Sequence, residues 1–215
     1  MDLFFSPLAC SLASRMALYE AGAAATAATT FVQVDSATKR TAQGDDYRTI
    51  NPLGLVPALR LDDGAVLLEN AAILQHIADR HPAAGLAPPA GGLARARLQQ
   101  WLSFVGSELH KGLFTRLFDK DTPPAVRTRT LETGARRLAL LERHLANRDW
   151  LLESFSVADC YLATVLNWKI ATPVDLAPWP AVAAHFARVT TRPAVARALE
   201  EEFALYAAAQ QRKAS

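Results

Sequence analysis

The sequence predicts an α/β plus all-α protein, in which a domain of element order βαβαββα precedes an all-helical domain. Three observations lead to this prediction. Strand and helix patterns alternate over residues 1–80, a stretch rich in Pro, Gly and Ala without apolar periodicity occupies 81–92, and only helical periodicity follows over 93–215. Stretches such as 81–92 typically join domains, so we expect a linker there.

Local signals place the elements of the first domain. Gly22 ends a helical pattern, as glycine commonly does just beyond a helix. Asp63-Gly64 lies between two alternating runs, which is a strong hairpin signal. The predicted elements are strands over 2–5 and 30–35, helices over 10–22 and 70–81, an irregular or short helical link over 40–50, and a hairpin over 56–70.

The second domain shows only helical patterns. One of its helices is nearly apolar on all sides, so we expect it to be buried at the centre. Ser156 and Asp159 form a capping-box pattern at the start of that helix. The predicted helices cover 93–118, 122–148, 156–170, 179–192 and 193–208.

Composition excludes several classes of protein. The chain has 215 residues, is 51% hydrophobic and carries a net charge of +2. Its basic residues are scattered among acids, which argues against nucleic acid as a partner, and no uncharged apolar run reaches the ~18 residues of a membrane span. The first residues carry no basic leader pattern. Two distant cysteines do not make a disulfide framework, so we expect thiols in a cytoplasmic setting, with no bound metal.

Cys10 lies where the first strand meets the first helix, and this placement in a βαβαββα unit suggests a thioredoxin-like domain. Redox members of that class use Cys-x-x-Cys, whereas the residues here are Cys-Ser-Leu-Ala, so dithiol exchange within the motif is excluded. Thiol chemistry must then take its second sulfur from a substrate or cofactor. The N–H groups at a helix start favour a thiolate on Cys10 or on a bound cofactor. Alternatively, Cys10 is a small buried hydrophobic residue.

Two short motifs suggest a peptide-like ligand. Val56-Pro57 precedes a strand, and a cis bond there would turn the Val56 N–H and C=O outward to pair with an extended peptide. A trans proline at a strand start is the alternative. Glu69-Asn70 opens a helix, where Asn70 can cap, the first N–H groups can hold a carboxylate and Glu69 can pair with an ammonium. That combination suits an α-amino acid group, and a simple capped helix is the alternative.

The first helix of the second domain carries a polar stripe. Ser103, Ser107, His110 and Phe114 recur at spacings that place them on one face, roughly opposite the apolar stripe, and Lys111 adjoins them. We expect that face to look either into solvent or into a cleft. A single histidine on such a face is equally consistent with a structural role.

Taken together, these residues resemble the cytosolic glutathione transferases, and most closely the bacterial beta class with its active-site cysteine. The resemblance covers essentially the whole chain, and the order and spacing of its motifs are specific. The segments that carry it are FFSPLACSLASRMAL, TKRTAQGDDYRTINPLGLVPALRLDDG, LLENAAILQHIADR, WLSFVGSELHKG, FSVADCYL and TRPAVARAL.

The resemblance implies a thioredoxin-like glutathione-binding domain, an all-helical domain on the acceptor-substrate side, and a homodimer. It also implies roles for matching residues. Cys10 would lie against the glutathione sulfur, Val56 with cis-Pro57 would pair with the cysteinyl backbone, Glu69 and Asn70 would hold the γ-glutamyl group, Lys39 would reach the glycyl carboxylate, and Ser107, His110 and Lys111 would close the site.

The leading functional prediction is a glutathione transferase that directs the glutathione thiolate, a co-substrate, at small apolar electrophiles, as in detoxification. Cys10 and His110 are its predicted catalytic residues, and His110 could accept a proton, donate one, or hydrogen-bond Cys10. A thiol-disulfide oxidoreductase or peroxidase that works through a Cys10–glutathione mixed disulfide is the alternative. A third interpretation is a non-catalytic binding module of the same fold.

Overall fold

A computed structural model describes residues 1–23 and 29–214 and divides the chain into two compact units. The first unit combines residues 1–86 with 192–215, and the second covers residues 87–191. This division differs from the expected one in the last helix, α8 (Pro193–Ala214), which groups with the first unit rather than the second. The reason is a set of ion pairs and packing contacts between α8 and the first helix of the chain.

The first unit contains a four-stranded mixed sheet. Its strands are Asp2–Phe5 (β1), Thr30–Gln33 (β2), Ala58–Arg60 (β3) and Val66–Leu68 (β4). Their order in the sheet is β2-β1-β3-β4. Strands β1 and β2 are parallel, whereas β1 with β3 and β3 with β4 are antiparallel. The β3–β4 hairpin turns at Asp63-Gly64 as predicted, and Gly64 has a φ of 87°, which favours glycine.

Helices complete the βαβαββα order, although the second helical element is only a single 3₁₀ turn. That turn, Tyr47–Thr49, begins at Asp46, whose side chain accepts a hydrogen bond from the Arg48 N–H. The other helices of the βαβαββα region are α1 (Leu12–Glu20) and α2 (Asn70–Arg80). Helix α1 therefore begins two residues after Cys10 rather than at Cys10.

One row of side chains crosses the sheet and supports the loop that leads into β3. Val32, Phe4, Ala58 and Leu68 are successive partners across β2, β1, β3 and β4. Tyr47 packs on the same cluster, with its ring 5.5 Å from that of Phe4, and so does Val56. Burial of this apolar row holds Val56 against the sheet. Each Å² of apolar surface removed from water contributes ~25 cal/mol to the free energy of folding.

Helix α8 packs on α1 around a buried cation. The Arg15 guanidinium lies 4.2 Å and 4.3 Å from the ring centroids of Phe5 and Phe31. It pairs with Glu201 at 3.0 Å and with Glu202 at 3.1 Å, both on α8. A buried guanidinium needs such partners because an uncompensated buried charge is strongly destabilising. These carboxylates explain why α8 belongs to the first unit.

The second unit is all helical, in agreement with the prediction. The described helices are α3 (Leu93–Phe104), α4 (Arg116–Phe118), α5 (Pro124–Leu145), α6 (Val157–Asn167) and α7 (Pro180–Thr190). Between α3 and α4 the backbone is π-helical over Val105–Thr115, and a 3₁₀ turn, Trp168–Ala171, follows α6. Within the described residues, no helix is both long enough and apolar enough to cross a membrane.

Helix α6 forms the buried centre of this unit and carries the predicted capping box. Ser156 and Asp159 satisfy each other's backbone N–H groups, and every residue of α6 is buried. The Asp159 carboxylate also accepts from the Leu151 N–H at 2.9 Å and contacts the buried His185 ring nitrogen Nε2 at 2.8 Å. At the start of α6, the Asp159 carboxylate thus binds three residues, Leu151, Ser156 and His185, within a nearly apolar core.

The buried carboxylate of Glu202 gives a pH-dependent contribution to stability. Burial raises its pKa from 4.5 to about 7, although Arg15 and the Leu8 N–H oppose the shift. Because the pKa is raised in the folded state, this contribution is fully present below pH 4.5 and is lost as the pH rises through about 7. Relative to Glu202→Gln, the native chain should therefore lose unfolding free energy over this range, by at most about 1.4 kcal/mol per pH unit.

Urea unfolding from pH 4.5 to pH 8 measures this slope. Glu200→Gln is the matched control, because Glu200 is exposed on the same helix and should keep the native slope. Equal slopes in the native chain and in Glu202→Gln would contradict the prediction.

Candidate functional site

Cys10 lies in the turn between β1 and α1, in the first unit. Its side chain is half-buried, and Sγ lies 3.1 Å from the Val56 carbonyl oxygen, to which the thiol donates. A carbonyl oxygen stabilises S–H and repels S⁻, so this contact favours the neutral thiol. Cys10 and Cys160 are both thiols. The structure therefore brings together Cys10 and Val56, two residues that the sequence places far apart.

The turn before Cys10 has an unusual backbone and a distant anchor. Leu8 has a φ of 59°, which a non-glycine side chain rarely adopts. Its N–H donates to the Glu202 carboxylate at 2.7 Å. The Ser6 hydroxyl donates to the Val34 carbonyl at 2.6 Å, which ties the turn to the end of β2. Helix α8 and the sheet together hold the segment that presents Cys10.

Asn70 does not cap α2 with its side chain, contrary to the prediction. Glu69 occupies the N-cap position with a φ of 68°, and its side chain makes no capping bond. The Asn70 amide nitrogen instead donates to the Cys10 carbonyl at 2.6 Å, and its oxygen accepts from the Ser14 hydroxyl at 2.9 Å. Asn70 is buried, and both polar groups of its side chain are bonded to Cys10 and Ser14, so neither caps α2. Asn70 thus joins the starts of α1 and α2.

The Val56–Pro57 peptide bond is cis, as the resemblance implied. The loop before it is held by two bonds to the Leu55 carbonyl, one from the Tyr47 hydroxyl at 2.8 Å and one from the Asn51 amide at 2.7 Å. Burial raises the pKa of Tyr47 well above its usual range, so its hydroxyl stays protonated as a donor. These bonds fix the backbone that carries Val56.

Lys39 lies in a tight loop with its stem over a glycine. Lys39 has a φ of 59°, and the preceding turn is capped by the Asp35 carboxylate, which accepts from the Thr38 N–H at 2.7 Å. A Cβ on Gly54 would lie 3.1 Å from Cδ of Lys39. The bare backbone of Gly54 is therefore the surface on which the lysine side chain rests.

Three of the predicted residues of the first unit form a connected group: Cys10 contacts both Val56 and Asn70. Glu69 is exposed next to Asn70 in the chain, and Lys39 lies with Gly54. Among the residues that the structure describes, no three His, Cys, Asp or Glu side chains are grouped so that they could hold a metal ion. The contacts within the connected group are made by backbone carbonyls and by the Asn70 amide, together with the Cys10 thiol.

His110, Ser107 and Lys111 lie in the π-helical segment of the second unit. Nδ1 of His110 is 2.8 Å from the Tyr161 hydroxyl, and its ring lies 4.9 Å from that of Trp168. Burial, and secondarily the charge of Lys111, lower the pKa of His110 from 6.5 to about 4. The imidazole is therefore neutral at pH 7. Ser107 is exposed, and its hydroxyl donates to the Ser103 carbonyl at 3.0 Å.

The predicted polar stripe is not uniform. Ser103 and Ser107 are exposed and His110 is half-buried, but Phe114 is fully buried with its ring 5.7 Å from that of Trp168. The prediction assumed an α-helical period throughout. Because each π-helical hydrogen bond spans one more residue than an α-helical one, the helix is wound more loosely and the positions after Val105 rotate away from the expected face.

Tyr161 and Trp168 were not singled out as site residues from the sequence. Both flank His110, and both are buried. The sequence did contain a signal for Tyr161. A tyrosine in a nearly apolar, buried helix needs a hydrogen-bond partner for its hydroxyl, which indicates a polar contact at that position. Trp168 follows the end of α6 and carries no comparable signal in the sequence.

Comparison with protein families supports the sequence resemblance. The model of the glutathione S-transferase N-terminal domain matches residues 9–80, and that of the glutathione S-transferase C-terminal domain matches residues 106–193. Glutathione S-transferase GstA of Escherichia coli O157:H7 is 40% identical over 203 residues, which cover 94% of this chain and 98% of the relative.

Solved structures agree with this match. A sphingomonad glutathione S-transferase complexed with glutathione has a TM-score of 0.88 and 46% identity, and covers 94% of this chain and 98% of its own. A bacterial beta class glutathione S-transferase of Sphingomonas chungbukensis has a TM-score of 0.87 and 43% identity over the same shares. The chain belongs to the glutathione S-transferase family. Its resemblance to the bacterial beta class is confirmed.

The Asn70 bridge gives a prediction for stability. Asn70→Ala leaves the Cys10 carbonyl and the Ser14 hydroxyl without this partner in a buried setting, which should cost about 1–3 kcal/mol of unfolding free energy. The urea midpoint of the variant, compared with the native chain, measures the loss. Asn147→Ala, at an exposed turn position, is the control and should leave the midpoint unchanged. A midpoint for Asn70→Ala equal to that of the control would show that the bridge contributes nothing.

Proposed function

We propose that this glutathione S-transferase joins the thiolate of glutathione to small apolar electrophiles and uses Cys10 to position the glutathione sulfur. The observation that carries the proposal is the hydrogen bond from the Cys10 thiol to the Val56 carbonyl, 3.1 Å long. A thiol has one proton, and a Cys10 thiol that donates to a neighbouring carbonyl can turn that proton to the glutathione sulfur when this anion binds. A neutral thiol is less suited to attack, because the thiolate is the nucleophilic form.

The proposed contacts of glutathione follow from the connected backbone groups. The Val56 N–H and C=O pair with the cysteinyl backbone, and the cysteinyl N–H then takes the place of the Cys10 thiol at the Val56 carbonyl. Glu69 holds the γ-glutamyl ammonium. The N–H groups at the start of α2, Asn70 included, hold the neighbouring carboxylate. Lys39 pairs with the glycyl carboxylate.

The residues proposed to bind glutathione also include three of the second unit, Ser107, His110 and Lys111. His110 is neutral at pH 7, so it can act as a hydrogen-bond donor or acceptor without adding charge. Lys111 is exposed and cationic and can attract an anionic ligand. In the reaction, a carbon–sulfur bond forms between glutathione and the electrophile, and the leaving group departs with the electron pair of the bond that breaks.

Detoxification of electrophiles, a cytoplasmic location and a homodimeric assembly belong to this proposal. A reduced thiol co-substrate requires a reducing compartment, which supports the cytoplasmic location. The homodimer rests on the family resemblance. Light scattering on the purified chain tests it and should give about twice the mass of one chain.

The test of function combines retention on glutathione-agarose with conjugation of a model aryl halide. The native chain should be retained and should release halide as the aryl–sulfur bond forms. Cys10→Ser should keep most of the conjugation rate because a hydroxyl also donates, whereas Cys10→Ala should lose roughly tenfold in kcat/KM with the missing hydrogen bond. Absence of both retention and conjugation in the native chain would overturn the proposal.

The oxidoreductase alternative makes the opposite prediction for the same variants. If Cys10 itself attacks, treatment with glutathione disulfide gives a mixed disulfide on Cys10 that mass spectrometry detects. Cys10→Ser would then lose both the adduct and the associated reduction activity. Conjugation that survives in Cys10→Ser supports the positioning role instead.

Gly54 tests the assignment of Lys39. An added methyl group in Gly54→Ala would lie 3.1 Å from Cδ of Lys39 and displace the lysine stem. We expect the KM for glutathione to rise about threefold or more with little change in kcat, because a binding contact is lost. Gly64→Ala is the matched control: Gly64 also has a positive φ, but no atom lies within 4 Å of its added Cβ. An equal rise in both variants would remove Lys39 from the proposed site.

A further inference from the structure

His110 and Tyr161 form a hydrogen-bonded pair whose direction decides what the histidine can do. Nδ1 of His110 is 2.8 Å from the Tyr161 hydroxyl oxygen, and the two rings meet edge to face at 86°. Either the hydroxyl donates to Nδ1, or a protonated Nδ1 donates to the hydroxyl. A neutral imidazole carries one ring proton, so the first arrangement leaves the proton on Nε2 and the second leaves Nε2 bare.

The chemistry of the two groups favours the first arrangement. A phenol hydroxyl is a strong donor, and its oxygen is a weaker acceptor because a lone pair is delocalised into the ring. The unprotonated nitrogen of a neutral imidazole is a strong acceptor. The O–H···Nδ1 bond therefore joins the better donor to the better acceptor.

The surroundings keep the imidazole neutral and fixed. Burial and the charge of Lys111 lower the pKa of His110 to about 4, which excludes a doubly protonated ring at pH 7. The Trp168 ring packs against the imidazole at 4.9 Å. The Thr115 hydroxyl donates to the His110 carbonyl at 2.9 Å, which restrains the backbone of the π-helical segment.

Tyr161 itself lies on a helix that is buried and capped. It lies on α6, which is buried along its whole length and begins at the Ser156–Asp159 capping box. The Tyr161 side chain is only 4% exposed, so its ring has little freedom to turn. Because the Tyr161 hydroxyl is held in place, its hydrogen bond can determine which nitrogen of His110 carries the proton.

We propose that Tyr161 is a positioning residue that donates to Nδ1 of His110 and so holds the proton on Nε2. His110 then acts through Nε2–H as a hydrogen-bond donor to a sulfur-centred anion, not as a base that removes a proton from the thiol. The functional half of this inference rests on the proposed function. The assignment of the ring proton does not.

Nuclear magnetic resonance of the native chain, labelled with ¹⁵N at histidine, shows which ring nitrogen carries the proton. The chain has five histidines, and His110→Asn identifies the His110 signals by their loss. At pH 7 we expect the Nε2 signal to have a protonated shift and the Nδ1 signal an unprotonated one. A protonated Nδ1 would overturn the proposal, whatever the chain catalyses.

Kinetics test whether Tyr161 acts through His110. Tyr161→Phe should lower kcat for conjugation of the aryl halide about tenfold and change the KM for glutathione less than about twofold, since in this proposal the hydroxyl acts through His110. In the His110→Asn background, adding Tyr161→Phe should change kcat less than about twofold. A merely structural role of the hydroxyl would lower kcat in both backgrounds and would overturn the proposal.

Two controls separate the possible failures. Tyr206→Phe removes a hydroxyl from an exposed position on α8 and should leave kcat unchanged. If His110→Asn leaves kcat unchanged, the proposed catalytic role of His110 fails, and the functional half of the inference falls with it. If Tyr161→Phe does not fold, as shown by its thermal unfolding, the resonance experiment on the native chain decides the assignment.

Discussion

The hydrogen bond from the Asn70 amide to the Cys10 carbonyl is the constraint on which the candidate site in the first unit depends. It joins the start of α2 to the residue just before α1 over 2.6 Å, while the same side chain accepts from Ser14 on α1. The starts of two helices are thereby fixed beside each other. The cis-Pro57 loop completes this arrangement, because the Cys10 thiol donates to the Val56 carbonyl. A single buried amide thus sets where the thiol lies relative to the backbone groups proposed to bind glutathione.

The surroundings of both proposed catalytic residues disfavour a charge on their side chains, for different reasons. A carbonyl oxygen faces the Cys10 thiol and favours S–H, whereas burial and a neighbouring ammonium keep the His110 imidazole neutral. Neutral donors cost less to bury than ions and stabilise an anion when one arrives. In the proposed mechanism the negative charge comes with the glutathione thiolate, so the protein supplies preorganised hydrogen bonds rather than its own nucleophile.

Signals that are local in sequence predicted most of the fold. The hairpin at Asp63-Gly64 and the capping box at Ser156 and Asp159 each depend on a few adjacent residues, and both are present. The position of α8 was not predictable from such patterns, because it depends on Arg15, nearly 200 residues away in the chain. The same holds for Asn70, whose side chain prefers a buried partner on α1 to the local capping bond that its residue type suggested. The switch to π-helical geometry after Phe104 changed the faces of the residues that follow, and no periodicity rule for α-helices anticipates it.

The grouping of α8 with the first unit bears on the order in which the chain can fold during synthesis. Residues 1–86 emerge first, but the guanidinium of Arg15, enclosed by Phe5 and Phe31, has its carboxylate partners on a helix that is made more than 100 residues later. The Leu8 N–H also finds its acceptor on that helix. During synthesis, the Arg15 guanidinium and the Leu8 N–H stay in contact with water until α8 has left the ribosome and can supply their native acceptors. The turn that presents Cys10 can thus gain its full set of native contacts only late in synthesis, although it is among the first parts of the chain to be made.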